Sequence, residues 1–355
     1  MKAVLGLENG TVIHGSGFGA EGAAAGELIV NFASNGYVRT LSDPGVSGQI
    51  VTFSSPLIGN YGADAKELES ASLHAEAAVV RELCTAPKRM PALGDLFEEQ
   101  GIPGISGADT RMLTRILREN GCMRAAVITG SDDGEEAVSL AKKAPVTETR
   151  DLVSGVTCKA PYRVPGTGRK IAVLDLGCTA PVVKSLSNRG GDLYVYPYGT
   201  SAKEMLAADP AALFVTGCPG YPPAAEKAVS AVAGLLGTIP VFGVAAGCDV
   251  IAAALGAGLE KLKPGHRSPA EPVRFADGTV AVTYQNHGYA ISENTLPEGC
   301  IITSRSANDG TPEGFENSSL GVYAVQFQPE HNGVSDGAEK PVYDIMFRKI
   351  DEKRS

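Results

Sequence analysis

Residues 239–250 read Ile-Pro-Val-Phe-Gly-Val-Ala-Ala-Gly-Cys-Asp-Val. An apolar strand through Val241 and Phe242 runs into Gly243 and Gly247, and an Ala-rich stretch follows. Glycines on both sides of one central residue let a strand turn sharply into a helix. That turn lifts the central side chain clear of the sheet, beside backbone N–H groups able to hold an oxyanion. Enzymes with this turn carry Ser or Cys at its centre. Here the centre is Ala245, which has no atom to attack a carbonyl. Cys248 lies three residues further on and shares a helix face with the elbow, where the helix dipole would lower a thiol pKa. It is the candidate displaced nucleophile, although no His is placed nearby to serve it. His331, directly after Glu330, could swing into the vacated position, while His287 reads as a hydrogen-bonded residue shaping a crevice wall.

The elements that must position these residues fall into two patterns. The first part is β-rich, with short runs at 2–7, 11–14, 26–32 and 49–53 punctuated by Asn-Gly, Gly-x-Gly and Asp-Pro. Residues 66–84 read as a helix running into a strand, and 93–101 as a short helix. Asp109-Thr110-Arg111 opens a further helix with an acidic cap, and Arg111 could lie near a partner surface. From Lys170 strands alternate with helices, which predicts a mainly parallel sheet covered by helices. The ligand crevice of such a sheet lies at the carboxyl ends of the strands. The Gly217-Cys218-Pro219-Gly220 turn, the elbow and the strand before Gln328 should therefore meet. The predicted organisation is an N-terminal β-rich α/β domain over 1–134, a linker region over 135–168 and a second α/β domain over 169–355.

In order and spacing, the motifs resemble the small, amidotransferase subunit of carbamoyl phosphate synthetase. The first domain carries Leu7-Glu8-Asn9-Gly10-Thr11, Gly36-Tyr37, Asp43-Pro44, Gln49-Ile50-Val51-Thr52, Pro56-Leu57-Ile58-Gly59-Asn60-Tyr61-Gly62 and Asp109-Thr110-Arg111-Met112-Leu113-Thr114-Arg115. The second domain resembles a class I glutamine amidotransferase through Cys218-Pro219-Gly220, the elbow, Gln285-Asn286-His287-Gly288-Tyr289 and Val325-Gln326-Phe327-Gln328-Pro329-Glu330. The resemblance implies a Cys at the elbow, a His as base and a Glu orienting that His. The corresponding positions here are Ala245, Gln328 and Glu330, and Gln cannot cycle a proton as imidazole does.

The substrate crevice implied by the resemblance comprises Gly45, Thr179, Cys218, Gly220, Gly243, Ala246, Asp249, Gln285, Asn286 and His287. Asp249 replaces an amide of the family, Thr179 a Lys and Gly45 a Ser, and Asp249 should put negative charge where the family has none. The turn around His266 matches a family turn whose following residues, Ser268-Pro269-Ala270-Glu271, differ.

The formal net charge of −9 argues against nucleic acid or an anionic membrane as the main partner. Seven cysteines without a CxxC pair indicate neither a zinc site nor a disulfide framework, so no metal and no cofactor are expected. No signal-like stretch or run of about 18 apolar residues is present, and a cytoplasmic protein is expected. The expected function is a glutaminase-inactive partner or regulator of an ammonia-using synthetase large subunit, of the kind that serves pyrimidine and arginine biosynthesis. The alternatives are an enzyme using Cys248, Asp249 or Glu330 on a non-glutamine substrate, and a module binding a small-molecule ligand in the old glutamine crevice.

Overall fold

The computed structural model describes residues 1–331 and 339–352 and divides into two units, Met1–Arg150 and Asp151–Ser355. In the first unit seven strands close a barrel in the order Lys2–Leu7, Val12–Gly19, Pro103–Ser106, Ala77–Val79, Gln49–Phe53, Gly22–Asn31 and Met123–Thr129. Leu5, Leu28, Val30, Ile50, Val79 and Val127 fill its interior. The helix Thr110–Asn120 turns Leu113 and Leu117 toward that core, and Asp109 caps it by accepting from the Met112 N–H at 2.9 Å.

Two expectations about this part of the chain differ from the structure. Residues 66–84 form no α-helix: a 3₁₀ turn at Ala65–Glu67 is followed by the strand Ala77–Val79. Its Glu and Ala content favours helix locally, but Ala77 and Val79 are needed inside the barrel, where this strand pairs in parallel with Gln49–Phe53 and Pro103–Ser106. The stretch 135–168 is not a linker but is divided between the units. The helix Gly134–Lys143 lays Ala137 against Val4 and Ile128 of the barrel wall. A Cβ at Gly6 would meet the Ala137 carbonyl carbon at 2.5 Å, so glycine admits the helix. Tyr162–Val164 is an edge strand of the second unit, antiparallel to Asp192–Pro197.

The second unit is built on a ten-stranded sheet. Asp192–Pro197, Lys170–Asp175, Ala212–Val215, Val241–Val244 and Val322–Val325 form a parallel set in that order. Beyond Val322–Val325 the sheet continues antiparallel through Pro312–Asn317, Ile301–Ser306 and the long hairpin Leu259–Phe275 and Val280–Ile291. Both faces of the parallel set are buried, which explains its nearly unbroken apolar runs. Among the described residues no helix is long and apolar enough to cross a membrane.

Candidate functional site

The elbow forms. The strand Val241–Val244 passes through Ala245 into the helix Ala246–Ala254. Ala245 sits at φ 50° and ψ −138°, a conformation that costs a residue with a Cβ about 1–3 kcal/mol. The flanking glycines are fixed by packing. A Cβ on Gly243 would lie 2.9 Å from the Gly247 backbone, and one on Gly247 would lie 2.4 Å from the Val215 carbonyl oxygen. The fold thus keeps a strained turn and the close strand–helix crossing that shapes it, around a side chain consisting of one methyl group.

Two of the segments expected at the site, Gly217–Gly220 and the run into Gln328, meet this turn. A Cβ built at Gly217 would stand 3.2 Å from the Ala245 Cβ, which sets the Gly217–Gly220 turn against the elbow tip. The Ala245 N–H donates to the Phe327 carbonyl at 3.3 Å and brings Gln328 alongside. Gln328 is buried, and its N–H donates to the Tyr284 carbonyl at 2.9 Å. Glu330 accepts from the Tyr343 hydroxyl at 3.2 Å, so the C-terminal helix Glu339–Glu352 supplies its partner. His331 is buried with its ring 4.9 Å from that of Tyr284. Thr179 is the buried N-cap residue of Ala180–Asn188 and makes no side-chain capping bond. Gly220 adopts φ +77°, as the tight turn requires. Gly45 lies in the first unit, where its N–H donates to Asp43 Oδ1 at 2.8 Å.

Two expected charge states are corrected. Cys248 is fully buried, and burial, with the carboxyls of Asp249 and Glu313 nearby, pushes its thiol well above the ordinary range. Desolvation therefore outweighs the helix dipole, and Cys248 is held as a protonated, packed thiol. Cys218 is likewise buried and shifted upward by desolvation and Asp249. Asp249 is 1% exposed, and burial followed by the proximity of Glu313 pushes its carboxyl well upward, which disfavours the expected negative charge. Gln326 Nε2 donates to both of its oxygens, at 3.0 and 3.1 Å, and also to the Tyr289 carbonyl.

The Gln285-Asn286-His287 wall is satisfied internally. Gln285 Nε2 donates to Thr283 at 3.1 Å, and Asn286 Oδ1 accepts from Arg267 at 2.7 Å. His287 donates Nδ1–H to the Tyr289 carbonyl at 2.8 Å, while Nε2 faces Gln285 Oε1 at 2.9 Å. Behind it stands a charge cluster that the sequence reading missed. Glu313 is fully buried; its Oε1 lies 2.9 Å from His266 Nδ1 and 3.6 Å from His287 Nε2. His266 Nε2 faces Asp309 at 2.9 Å. Burial lowers the His266 pKa, but hydrogen bonds and charge attraction to Glu313 and Asp309 overcome this and raise it to about 9. The imidazolium is what compensates a buried carboxylate here. His266, His287 and Glu313 also offer ligand atoms within 4.8 Å of one another, a spacing at which a cation could be held. These residues are scattered over a hairpin and a later strand, so no spacing rule in the sequence links them.

A barrel unit followed by a parallel α/β unit with a strand–elbow–helix crossing defines a protein of the class I glutamine amidotransferase type. Residues 172–345 match the family Glutamine amidotransferase class-I, and residues 5–127 match the family Carbamoyl-phosphate synthase small chain, CPSase domain. The carbamoyl phosphate synthase small chain of Methanosarcina acetivorans is 44% identical over 344 residues, covering 93% of this chain and 94% of that protein. The one from Bacillus cereus is 38% identical over 351 residues, covering 98% and 95%. A pyrimidine-specific small chain from Halalkalibacterium halodurans is 38% identical over 335 residues, covering 93% and 92%. The chain belongs to the carbamoyl phosphate synthase small chain family.

Proposed function

We propose that this protein is a small subunit without glutaminase chemistry, which binds a synthetase large subunit and sets the rate of a reaction fed by free ammonia. The observation that carries the proposal is the elbow itself: Ala245 holds φ 50° with Gly243 and Gly247 packed around it, yet presents only a methyl group. A thioester needs a sulfur or oxygen at that tip. Three further features support the reading. Gln328 stands where the family resemblance places the base, Cys248 is buried as a neutral thiol, and Asp249 is tied to Gln326 rather than left to a substrate amide. The persistence of family sequence across both units fits a protein kept for its surfaces.

The test is size-exclusion chromatography with the large subunit encoded by the same organism, followed by ammonia-dependent carbamoyl phosphate synthesis. Co-elution and an altered ammonia-dependent rate are expected. Separate elution together with an unchanged rate would refute the proposal.

A further inference from the structure

A row of arginines lines one face of the helix Thr110–Asn120. Arg111, Arg115 and Arg118 occupy i, i+4 and i+7 and so share a face about 10 Å long. Arg81, just beyond the strand Ala77–Val79, joins them in a groove of about 910 Å³ that Ser54 and Asp109 also line. All four arginines are exposed. Among the described residues none of their side chains has an ion-pair or hydrogen-bond partner. Asp109, whose carboxylate accepts from the Met112 N–H, is the single carboxylate lining the groove against four arginines, so a net positive charge remains.

Like charges at i, i+4, as at Arg111 and Arg115, oppose helix formation. The concentration of positive charge is the more pointed in a chain whose formal net charge is −9. Arginine forks are suited to carboxylates, which they grip in a bidentate manner.

We infer that this groove is a docking surface for an acidic segment, one bearing Asp or Glu at successive positions, on the synthetase large subunit. The inference rests on the small-subunit reading above and goes further by naming the surface and the partner's chemistry. A row about 10 Å long is longer than one phosphate needs. Among the described residues no aromatic side chain lines the groove to stack a nucleotide base. Both points favour a peptide carboxylate series over a phosphorylated small molecule.

The test compares wild type with Arg115→Glu, Arg115→Gln and the triple variant Arg111→Glu/Arg115→Glu/Arg118→Glu. Affinity for the large subunit is measured by biolayer interferometry at several salt concentrations, with thermal melting as a fold control. Arg115→Glu should weaken binding roughly tenfold at low salt, Arg115→Gln less and the triple variant more. The losses should shrink toward about 0.5 M salt as screening shortens. Melting temperatures should stay at the wild-type value or rise.

Wild-type affinity in the triple variant, or a loss indifferent to salt, would overturn the groove assignment while leaving the small-subunit reading intact. Saturable inorganic pyrophosphate binding that the triple variant abolishes, with association unchanged, would likewise overturn it in favour of a phosphate site. Failure of the wild type itself to bind would refute both.

Discussion

Replacing Gly247 by Ala tests whether the elbow is held by packing. The new Cβ would lie 2.4 Å from the Val215 carbonyl oxygen and 2.6 Å from that of Thr216. Ordinary C···O approach is about 3.3–3.6 Å, so the overlap approaches an ångström against backbone. The strand Ala212–Val215 cannot retreat, because Lys170–Asp175 and Val241–Val244 pair with it on its two edges. Overpacking of this kind costs about 1–3 kcal/mol or more, while exchanging Gly for Ala within a helix returns about 1 kcal/mol. Because both overlaps are against backbone, the upper end of that cost applies, and the net expectation is a loss of about 2 kcal/mol, read as a fall of several degrees in the melting transition of the second unit. Gly155→Ala is the control: nothing lies within 4 Å of its would-be Cβ, and the change should be neutral or stabilise by up to about 1 kcal/mol. Differential scanning calorimetry of both variants decides the matter. A Gly247→Ala protein as stable as the control would refute the claim that a tight strand–helix crossing shapes the turn.

Two other outcomes follow from the same geometry. His266 gains stability from a pKa raised to about 9, so its contribution is fully present below its ordinary value near 6.5 and is lost as pH climbs through 9. Urea denaturation from pH 6 to 9.5 should show stability declining in the wild type, and His266→Gln should flatten that slope; equal slopes would show that the ion cluster is not formed. Restoring Ala245→Cys together with Gln328→His should give little glutamate release from glutamine, because Asp249 stays locked to Gln326 and Thr179 stands where the family has a Lys. Activity at the level of an ordinary small chain in that double variant would mean that only the nucleophile and base had been lost.

The elbow was legible because its requirement is local: two glycines around one residue, after an apolar strand and before an Ala-rich helix. The helix opened by Asp109-Thr110-Arg111 was legible in the same way, from its acidic cap. What could not be read depends on distant partners. Asp249 was expected to carry charge, yet its protonation is governed by burial and by Glu313, and its ligand Gln326 lies 77 positions away. Cys248 was read through the helix dipole, a local effect that complete desolvation overrides. The Pro- and Gly-rich run before Lys170 suggested a linker, but Tyr162–Val164 pairs with Asp192–Pro197, a contact that no local composition announces. In residues 66–84 strand pairing inside a barrel likewise prevailed over helix propensity.

The most direct test of the central claim is glutamine hydrolysis by the purified chain, alone and with its large subunit, followed as glutamate released under saturating ATP and bicarbonate. Background rates are expected in both cases, with carbamoyl phosphate made only when ammonia is supplied. Glutamate release coupled one-to-one to carbamoyl phosphate formation would contradict that claim.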